Sequence, residues 1–282
     1  MPAWKIAAVQ MDCRIGDNPY NLGQIQLHLE SAQRAGARLV LFPECALSGY
    51  CYESRDEAGP FAEPIPGPAI ESIGVSCRRL GIFAVFGMLE QDRGRLFNAA
   101  ALVGPHGLVG SYRKIHLPHL GVDRFTTPGD RPFQVWDLDG LRVGINICYD
   151  GSFPESARVM ALKGADLIVL PTNWPPGSEC ASQHVVPARA MENTVYFAAV
   201  NRVGVERGFC FIGGSRICDP LGKTLAAEEA DVEAVLLADI DPAVARQKHI
   251  VRIPGKHEID RIKDRRPEFY GTIAELSPSR PT

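Results

Sequence analysis

Three positions in the sequence carry reactive or polar side chains directly after a short apolar run: Glu44 after Leu39–Phe42, Cys148 after Val143–Ile147, and Asn173 with Trp174 after Leu167–Leu170. A carboxylate can act as a general base, and a thiol becomes a strong nucleophile once a base or a positive neighbour helps it to lose its proton. Each residue alone has an ordinary explanation, because a carboxylate after a strand is usually solvated or capping and a cysteine there is usually a small buried hydrophobe. The joint pattern favours chemistry at the ends of strands.

The apolar runs before these residues are typical of strands that are buried on both faces. Ligands of parallel sheets gather beyond the carboxyl ends of the strands, so we expect the three positions to lie along such an edge. Periodicity and turn residues predict the neighbouring elements: a helix with Asn18 as N-cap, Pro19 at its first position and the stripe Leu22, Ile25, Leu29 and Ala32; a helix over Pro68–Leu80; and a hairpin of Asn98–Val103 with Leu108–Tyr112.

The second half of the sequence repeats the order of the first. Gly36–Pro43 and Gly164–Pro171 each contain a helix-ending glycine, a buried strand and a closing proline. A helix from Ala188, a strand over Val195–Val200 and a hairpin around Asp219–Gly222 continue the repeat. Two such halves predict two similar sheets with helices outside each. The predicted fold is therefore α/β, a four-layer α-β-β-α sandwich built from two similar halves.

The domain organisation follows from the absence of a linker. No stretch rich in serine and glycine separates the halves, so we predict a single domain over residues 1–255. Residues 256–282 are predicted to form a C-terminal tail with a charged segment, Asp260–Arg266. Such a segment is either a solvated face or an arm that packs on the domain or on a partner subunit.

Composition and charge exclude several classes of protein. The 282 residues are 45% hydrophobic and 22% charged, as in globular proteins. Thirty basic against 33 acidic side chains leave a net charge of −3, which gives no basic footprint for nucleic acid. No apolar run approaches the ~20 residues that span a bilayer, and the first residues lack the build of a signal peptide. We therefore expect a cytoplasmic protein without nucleic-acid or membrane partners.

Motifs for metals, nucleotides and disulfides are missing from the sequence. His116 and His119 are the nearest approach to a metal pair, but Pro118 between them breaks helical presentation. No glycine-rich phosphate loop occurs, and the eight cysteines form no C-x-x-C pair. Without a signal peptide, the even number of cysteines does not imply disulfides. We expect no cofactor and no metal.

Three segments, in this order and spacing, resemble the nitrilase (carbon–nitrogen hydrolase) superfamily: Phe42–Tyr50, Tyr112–Leu117 and Gly144–Glu155. The likeness continues through Leu170–Trp174, Arg189–Asn193 and Gly213–Ser215, so it covers nearly the whole chain. The resemblance implies an α-β-β-α sandwich, in agreement with the internal repeat. It also implies a homodimer or a larger homo-oligomer.

The resemblance also assigns roles to residues of the site. Cys148 is similar to the family's nucleophile, Glu44 to its general base and Lys114 to its third member, whose ammonium lies near the oxygen that becomes negative. The backbone N–H of Tyr149 is the expected second donor to that oxygen. Burial of Glu44 would raise its pKa towards the working range of a base. Cys148 would attack the substrate, ammonia or an amine would leave, and water would release the acid from a thioester.

One departure from the family concerns an acidic residue. Many members carry a glutamate in the loop after the lysine, shortly before a Pro-Gly pair, and here residues 120–130 contain none. Asp123 is the only acid at about the right place, and it is one methylene shorter. Either it positions Lys114 or the substrate, or it pairs with Arg124.

The residues after the nucleophile indicate the substrate class. Tyr149-Asp150 resembles the amidase and carbamoyl-hydrolase branches more closely than the nitrilases, in which Trp-Glu is usual. We therefore expect hydrolysis of a small amide or N-carbamoyl compound, with a nitrile as the alternative. Tyr50, Asn173 and Trp174 are expected to line the pocket, although Trp174 could equally be a core aromatic.

Other interpretations remain open at the level of sequence. The chain could be a non-catalytic binding protein on this scaffold, or a redox sensor with Cys45 as the resolving cysteine. Glu192 and Asn193 could contact substrate or Glu44, but a structural hydrogen-bond pair is the simpler interpretation. Arg202 could bind a substrate carboxylate or form a buried ion pair.

Overall fold

The computed structural model describes residues 3–275, which divide into two compact units with the boundary between Arg246 and Gln247. The strands of the first unit, in chain order, are β1 (Trp4–Gln10), β2 (Leu39–Leu41), β3 (Phe83–Asp92), β4 (Arg95–Gly104), β5 (Gly107–Arg113), β6 (Val135–Leu138), β7 (Leu141–Ile145), β8 (Leu167–Thr172), β9 (Tyr196–Asn201), β10 (Val205–Glu206), β11 (Phe209–Cys210), β12 (Ser215–Cys218), β13 (Thr224–Glu228) and β14 (Ala234–Ile240). Its α-helices are α1 (Asn18–Arg34), α2 (Arg55–Ala58), α3 (Pro68–Leu80), α4 (Pro154–Leu162), α5 (Val186–Asn193) and α6 (Pro242–Arg246).

The two large sheets have the same topology, which confirms the internal repeat. The first has the order β14-β1-β2-β3-β4-β5, and the second, taken from its other edge, has the order β6-β7-β8-β9-β12-β13. In each sheet the third strand, β2 or β8, pairs in parallel with both neighbours, and the other pairs are antiparallel. The carboxyl ends of β2 and β8 therefore occupy equivalent places in the two halves.

Helices cover the outer faces of both sheets, as the predicted α-β-β-α sandwich requires. Helices α1 and α3 pack on the first sheet, and α5 packs on the second beside α4. Strand β1 contacts β9 and β12 of the opposite sheet, so the two sheets face each other. Apolar side chains of α1 (Ile25, Leu29) and of α3 (Ile73) share one core with Phe42 and Phe86 of the first sheet.

The start of α1 differs from the sequence prediction by one residue. Asp17, not Asn18, is the N-cap, because its side chain accepts a hydrogen bond from the Tyr20 N–H at 3.1 Å and its backbone is not yet helical. Asn18 lies inside the first turn, and its side-chain amide donates to the Phe61 carbonyl at 3.0 Å. Both residue types are good caps, so sequence alone did not separate them. The predicted stripe is buried except at Leu22, which is half-buried.

Most other predicted elements are confirmed, with shifts at their ends. Helix α3 covers the predicted residues, and the two predicted hairpins are β4–β5 and β12–β13. Helix α5 begins at Val186, two residues before the predicted start, after a π-helical turn over Ala181–Val185. Strand β7 ends at Ile145 rather than Ile147, because the Ile147 N–H turns to the Asp150 carboxylate.

The second unit contains a two-stranded antiparallel hairpin, β15 (His249–Ile253) with β16 (His257–Asp260). The predicted division at residue 255 stays a prediction, and residues 276–282 of the predicted tail lie outside the described residues. Within residues 3–275 no helix is both long and apolar enough to cross a membrane.

Candidate active site

Glu44 lies in a tight loop of the first sheet. The loop follows β2 and is pinned on β3 by two backbone hydrogen bonds, from the Gly87 N–H to the Pro43 carbonyl (3.1 Å) and from the Leu47 N–H to the Gly87 carbonyl (3.1 Å). A Cβ at Gly87 would lie only 2.3 Å from the Cys45 backbone nitrogen, so glycine is required for this close approach. The loop buries the Glu44 side chain completely.

Lys114 follows the last residue of β5 and reaches the same place. Its backbone is fixed on both sides, because its N–H donates to the Asn98 carbonyl and its carbonyl accepts from the Gly129 N–H, both at 2.8 Å. Its ammonium donates to Glu44 Oε1 at 2.7 Å and to Asp123 Oδ2 at 2.5 Å. All three side chains are almost fully buried, so the two carboxylates enclose the cation away from water.

Asp123 belongs to this group and does not pair with Arg124. Its Oδ2 also accepts from the Tyr50 hydroxyl at 2.8 Å. Arg124 instead donates to the backbone carbonyls of Gly121 and Tyr52. The loop after Lys114 therefore supplies an acid that reaches Lys114 directly.

Asn98 is a member of the site that the sequence analysis did not single out. Its amide nitrogen donates to both carboxylates, to Glu44 Oε1 at 2.7 Å and to Asp123 Oδ1 at 2.8 Å. The available signal was an asparagine in the middle of β4, where its neighbours are apolar and buried. We call Glu44, Asn98, Lys114 and Asp123 the Lys114 cluster.

Cys148 lies on a turn that the second sheet supplies. It opens a 3₁₀ turn over Cys148–Ser152 after β7 and has a left-handed φ of +44°, which is strained for a residue other than glycine. Asp150 holds the turn, since its Oδ2 accepts from the Ile147 N–H at 3.0 Å and its own N–H donates to the Ile147 carbonyl. Cys148 as a whole is 8% exposed.

The electrostatic surroundings keep the resting thiol neutral. The pKa of Cys148 is raised to about 12. Burial is the largest cause and the charge of Glu44 also raises it, whereas the charge of Lys114 lowers it. The Asn173 N–H and the Thr172 hydroxyl also lower the Cys148 pKa, which means that they stabilise the thiolate. A base is therefore needed to remove the proton at neutral pH.

Glu44 and Lys114 have the charges that such chemistry needs. Burial raises the pKa of Glu44, against the opposing effect of Lys114 and together with the charge of Asp123. Burial alone would lower the pKa of Lys114, but Glu44 and Asp123 hold it well above its usual value, so the ammonium keeps its proton. Oε1 of Glu44 has two donors, whereas Oε2 is buried and has no hydrogen-bond partner among the described residues.

A small cavity adjoins the thiol. Its volume is about 30 Å³, and it is lined by Cys148, Gly151, Ser152, Leu170, Trp174, Ala181, Val185, Val186 and Phe197. Trp174 is thus at the site, and its backbone N–H is fixed by Asn201 Oδ1 at 2.7 Å. Asn173 is fully buried, and neither polar atom of its side chain has a partner among the described residues.

The structure places the remaining predicted residues unequally. Tyr50 is fully buried and reaches the Lys114 cluster through its hydroxyl. The Tyr149 side chain is 40% exposed and packs edge-on against Phe153, which leaves only its backbone as a candidate for the site. The roles given to Glu44, Lys114, Cys148 and the other predicted site residues stay predictions.

Several residues with open interpretations have structural partners. Glu192 accepts from Arg189 at 3.0 Å, and Arg189 also donates to the backbone of the Cys148–Ser152 turn. Arg202 forms an ion pair with Glu206 at 2.6 Å. Cys45 is buried, and its surroundings raise its pKa well above the usual value, which disfavours the thiolate that a resolving cysteine needs. Within residues 3–275 no group of His, Cys, Asp and Glu is arranged to hold a metal ion.

Comparisons with known proteins show which family and which fold the chain is similar to. A family model described as carbon-nitrogen hydrolase matches residues 5–249. The chain is 40% identical over 267 residues to a protein named nitrilase from Pyrococcus abyssi, covering 94% of this chain and 98% of that protein. It is 33% identical to an (R)-stereoselective amidase from Pseudomonas sp., with 96% and 94% covered.

A solved structure extends the likeness to three dimensions. The fold is similar to that of a variant of the amidase from Nesterenkonia sp. AN1 in complex with acrylamide, with a TM-score of 0.80, 26% identity and coverage of 97% of this chain and 99% of that one. In another structure of that amidase the acetamide moiety of fluoroacetamide is covalently added at the active site cysteine.

Proposed function

The chain belongs to the carbon–nitrogen hydrolase family, and on that premise we propose that it hydrolyses small amides or N-carbamoyl compounds through a thioester on Cys148. The enzyme class is an amidase-like hydrolase of non-peptide carbon–nitrogen bonds that uses a cysteine intermediate. One observation carries the assignment of residues: a buried thiol on a strained turn is coupled electrostatically to a buried carboxylate–lysine cluster.

Glu44 is the general base in this proposal. Its Oε1 is held by Lys114 and Asn98, and its Oε2 is free to accept the thiol proton. The raised pKa of Glu44 makes it a better base near neutral pH than a solvated carboxylate. As the proton moves to Glu44, the Cys148 sulfur forms a bond with the carbonyl carbon of the substrate.

Lys114 and the backbone N–H of Tyr149 stabilise the oxygen that becomes negative in the tetrahedral intermediate. A fixed donor of this kind is worth about 3 kcal/mol of barrier. Lys114 keeps its proton throughout, because Glu44 and Asp123 hold its pKa well above the usual value. Asp123 positions the ammonium and does not itself exchange a proton with the substrate.

The proton balance closes over two half-reactions. Protonated Glu44 gives its proton to the leaving nitrogen, the carbon–nitrogen bond breaks, and ammonia or an amine departs. The Glu44 carboxylate then takes a proton from water, whose oxygen attacks the thioester carbon. The carbon–sulfur bond breaks, the proton returns to sulfur, and one amide plus one water has become one acid plus one ammonia or amine.

Asn173 and Trp174 are the proposed contacts of the substrate. Tyr50 supports the site indirectly, because its hydroxyl donates a hydrogen bond to Asp123. An unpaired buried amide group such as that of Asn173 favours a partner with its own donors and acceptors, as a carboxamide or a carbamoyl group has. The name of the 40% identical relative makes a nitrile the second candidate substrate. The pair Tyr149-Asp150 resembles the amidase and carbamoyl-hydrolase branches, and it therefore favours the amide over the nitrile.

The test is ammonia release from a panel of small amides, N-carbamoyl compounds, ω-amides and nitriles. We expect release from an amide or carbamoyl compound by the wild type and none by Cys148→Ala. Cys77→Ala, which removes another buried thiol far along the chain in α3, is the matched control and should keep its activity. Equal rates in wild type and Cys148→Ala would overturn the mechanism, and release from nitriles alone would overturn the substrate class.

We propose that the protein works in the cytoplasm as a homodimer or larger homo-oligomer. All eight cysteines are free and all lie within the described residues, which fits a reducing compartment. Apolar side chains of α4 and α5 are exposed, among them Val159, Leu162 and Met191, as at a subunit contact. Sedimentation that shows only a 30.8 kDa species would contradict the oligomer.

A further inference from the structure

Asp150 is a buried carboxylate that the proposed reaction does not use. Each of its two oxygens nevertheless has two hydrogen-bonding contacts. Oδ2 accepts from the Tyr112 hydroxyl at 2.8 Å and from the Ile147 N–H at 3.0 Å. Oδ1 lies 3.0 Å from the His116 backbone N–H and 2.7 Å from His116 Nδ1. Asp150 itself is fully buried. Four contacts to one carboxylate in a dry place make a strong and directional link.

These donors come from the two segments that carry the reactive groups. Tyr112 and His116 stand two residues before and two residues after Lys114, at the end of β5 in the first sheet. Ile147 and Asp150 flank Cys148 after β7 in the second sheet. We call residues 112–116 the lysine segment and Cys148–Ser152 the nucleophile turn. The Asp150 carboxylate therefore joins the lysine segment to the nucleophile turn across the interface of the two sheets.

We propose that Asp150 is a positioning residue that clasps the lysine segment to the nucleophile turn and so sets the spacing between the Lys114 ammonium and the Cys148 thiol. This inference rests on the proposed function, because it gives Lys114 and Cys148 their roles in one reaction. The clasp is Asp150 with its four contacts to Tyr112, His116 and Ile147. It touches no substrate and no reacting atom.

The physical need for a clasp follows from the fold. Lys114 and Cys148 follow strands of different sheets. Strands β1 and β9, which meet across the two sheets, consist mostly of buried apolar residues, and such packing fixes distance but not orientation. A misplacement of about 1 Å between reacting groups can cost about 100-fold in rate. Directional hydrogen bonds to Asp150 supply the orientation that apolar packing does not.

Aromatic packing holds the donors of the clasp in place. The His116 ring stacks on Phe153, with ring centres 3.7 Å apart and an angle of 12° between the planes. The Tyr112 ring stacks on Phe133 at 5.8 Å and 20°. Phe153 follows the nucleophile turn directly, so the His116 stack is a second contact between the same two segments.

Tyr112→Phe is the variant that tests the clasp, because it removes one hydroxyl and keeps the ring. Asp150→Asn is a poorer choice, since its amide group would face donors. Tyr196→Phe is the matched control: Tyr196 is also a buried tyrosine, and its hydroxyl accepts one bond, from the Asp241 N–H at 3.2 Å. Each substitution thus removes one buried phenolic hydrogen bond.

The first readout is kinetic, with kcat expressed per Cys148 titrated by alkylation. A displaced nucleophile or lysine raises the barrier of the chemical step without weakening ground-state binding. We expect kcat to fall about 10-fold in Tyr112→Phe with KM changed less than about threefold, and both to stay within about twofold in Tyr196→Phe. Equal losses in the two variants, or an unchanged kcat in Tyr112→Phe, would overturn the proposal.

The second readout does not depend on activity. Amide hydrogen exchange at His116 and at Ile147, whose N–H groups donate to Asp150, should quicken together by about fivefold or more in Tyr112→Phe and stay unchanged in Tyr196→Phe. If the wild type hydrolyses nothing in the panel, the proposed function fails, and exchange alone then decides the clasp. Unchanged exchange at either amide would overturn it.

Discussion

Two clusters in the first unit are each built around a buried cation that lies between two carboxylates, yet they differ in how many of their buried hydrogen-bonding positions are filled. The Lys114 cluster places its ammonium between Glu44 and Asp123. The second, which we call the Arg202 cluster, consists of Arg202, Glu206 and Asp12.

The Arg202 cluster has its positions filled. Arg202 donates to Glu206 at 2.6 Å, to Asp12 at 2.8 Å and to the Cys13 carbonyl at 2.7 Å, and it stacks over a phenyl ring. The other oxygen of Glu206 accepts from two consecutive backbone N–H groups, those of Tyr50 and Cys51. Each guanidinium nitrogen of Arg202 and each carboxylate oxygen of Glu206 thus has a partner, as in an arrangement that stabilises loops.

The Lys114 cluster has an unfilled hydrogen-bonding position. Glu44 Oε2 is buried without a partner among the described residues, which is a cost that a purely structural cluster avoids. Lysine presents a compact charge that can also meet a developing oxyanion, whereas the guanidinium of Arg202 has its fork committed to fixed acceptors. If the proposed function holds, an unfilled buried hydrogen-bonding position, more than charge, separates the Lys114 cluster from the structural Arg202 cluster.

Tyr50 connects the two clusters. Its backbone N–H donates to Glu206 at 2.8 Å, and its hydroxyl donates to Asp123 at 2.8 Å. Gly49 allows this connection, because a Cβ there would lie 2.4 Å from the Ile15 backbone and its φ is +80°. The structural cluster thus holds one wall of the reactive cluster in place, and a matched pair of substitutions can separate the two functions.

Glu44→Gln should have the largest effect on the rate. The amide keeps the volume of the side chain but cannot take the thiol proton, so acylation should slow by roughly 10³-fold. Single-turnover acylation, followed as the mass of the thioester, measures the step directly, and an unchanged rate would contradict the role of Glu44.

Glu206→Gln makes the same chemical change in the Arg202 cluster and should affect stability instead. Loss of the charge weakens bonds to Arg202 and to two backbone N–H groups, so the free energy of unfolding should fall by about 2–3 kcal/mol. The acylation rate per folded molecule should stay within about threefold of the wild type. Urea unfolding gives the first quantity; a rate loss as large as that of Glu44→Gln would break the distinction between the clusters.

The parts of this comparison that sequence could predict are those that lie close together along the chain. The strands, the internal repeat and the hairpins follow from local apolar runs and turn residues, and Glu44 and Cys148 stood out because each directly follows a buried strand. The N-cap was misplaced by one residue because Asp17 and Asn18 are equally good caps. Local signals predicted the layers and several of their elements, with errors at the ends of those elements.

Long-range contacts explain what sequence reasoning missed. Asn98 joins Glu44 across 54 residues of chain, and Glu206 joins Tyr50 across 156. Nothing in the neighbourhood of Asn98 or Glu206 in the sequence names these partners. The role of Asp123 was left open for the same reason, because only the folded loop shows that it reaches Lys114 rather than Arg124.

Asp123→Asn should reduce the rate less than Glu44→Gln does. The amide can still occupy the place between Lys114 and Tyr50, but it holds the ammonium less firmly, so kcat/KM should fall by at least ~10-fold, or 1.4 kcal/mol. Steady-state kinetics on the best substrate of the panel measures this loss. A loss below twofold would show that Asp123 is buried beside the site without contributing to it.

The smallest expected effect is a shift in the pH dependence of kcat/KM for Asp123→Asn, and it tests directly which group titrates. Glu44 must be ionised to take the thiol proton, so kcat/KM falls as the pH drops through the Glu44 pKa. Burial is the main cause of the raised pKa, and the charge of Asp123 raises it further, whereas Lys114 lowers it. Removing the Asp123 charge therefore lowers the Glu44 pKa, and the acidic limb should move to lower pH.

This shift distinguishes the loss of the Asp123 charge from a general disturbance of the site, which would lower the rate without moving the acidic limb to lower pH. The rate of Asp123→Asn falls at every pH while its acidic limb extends further into acid, because the remaining ammonium of Lys114 is shared with Glu44 alone. Glu206→Gln, whose carboxylate belongs to the other cluster, should leave the limb where the wild type has it. A limb that stays fixed in Asp123→Asn, or moves to higher pH, would mean that a group other than Glu44 titrates, and the Lys114 cluster would lose its assignment as the source of the base.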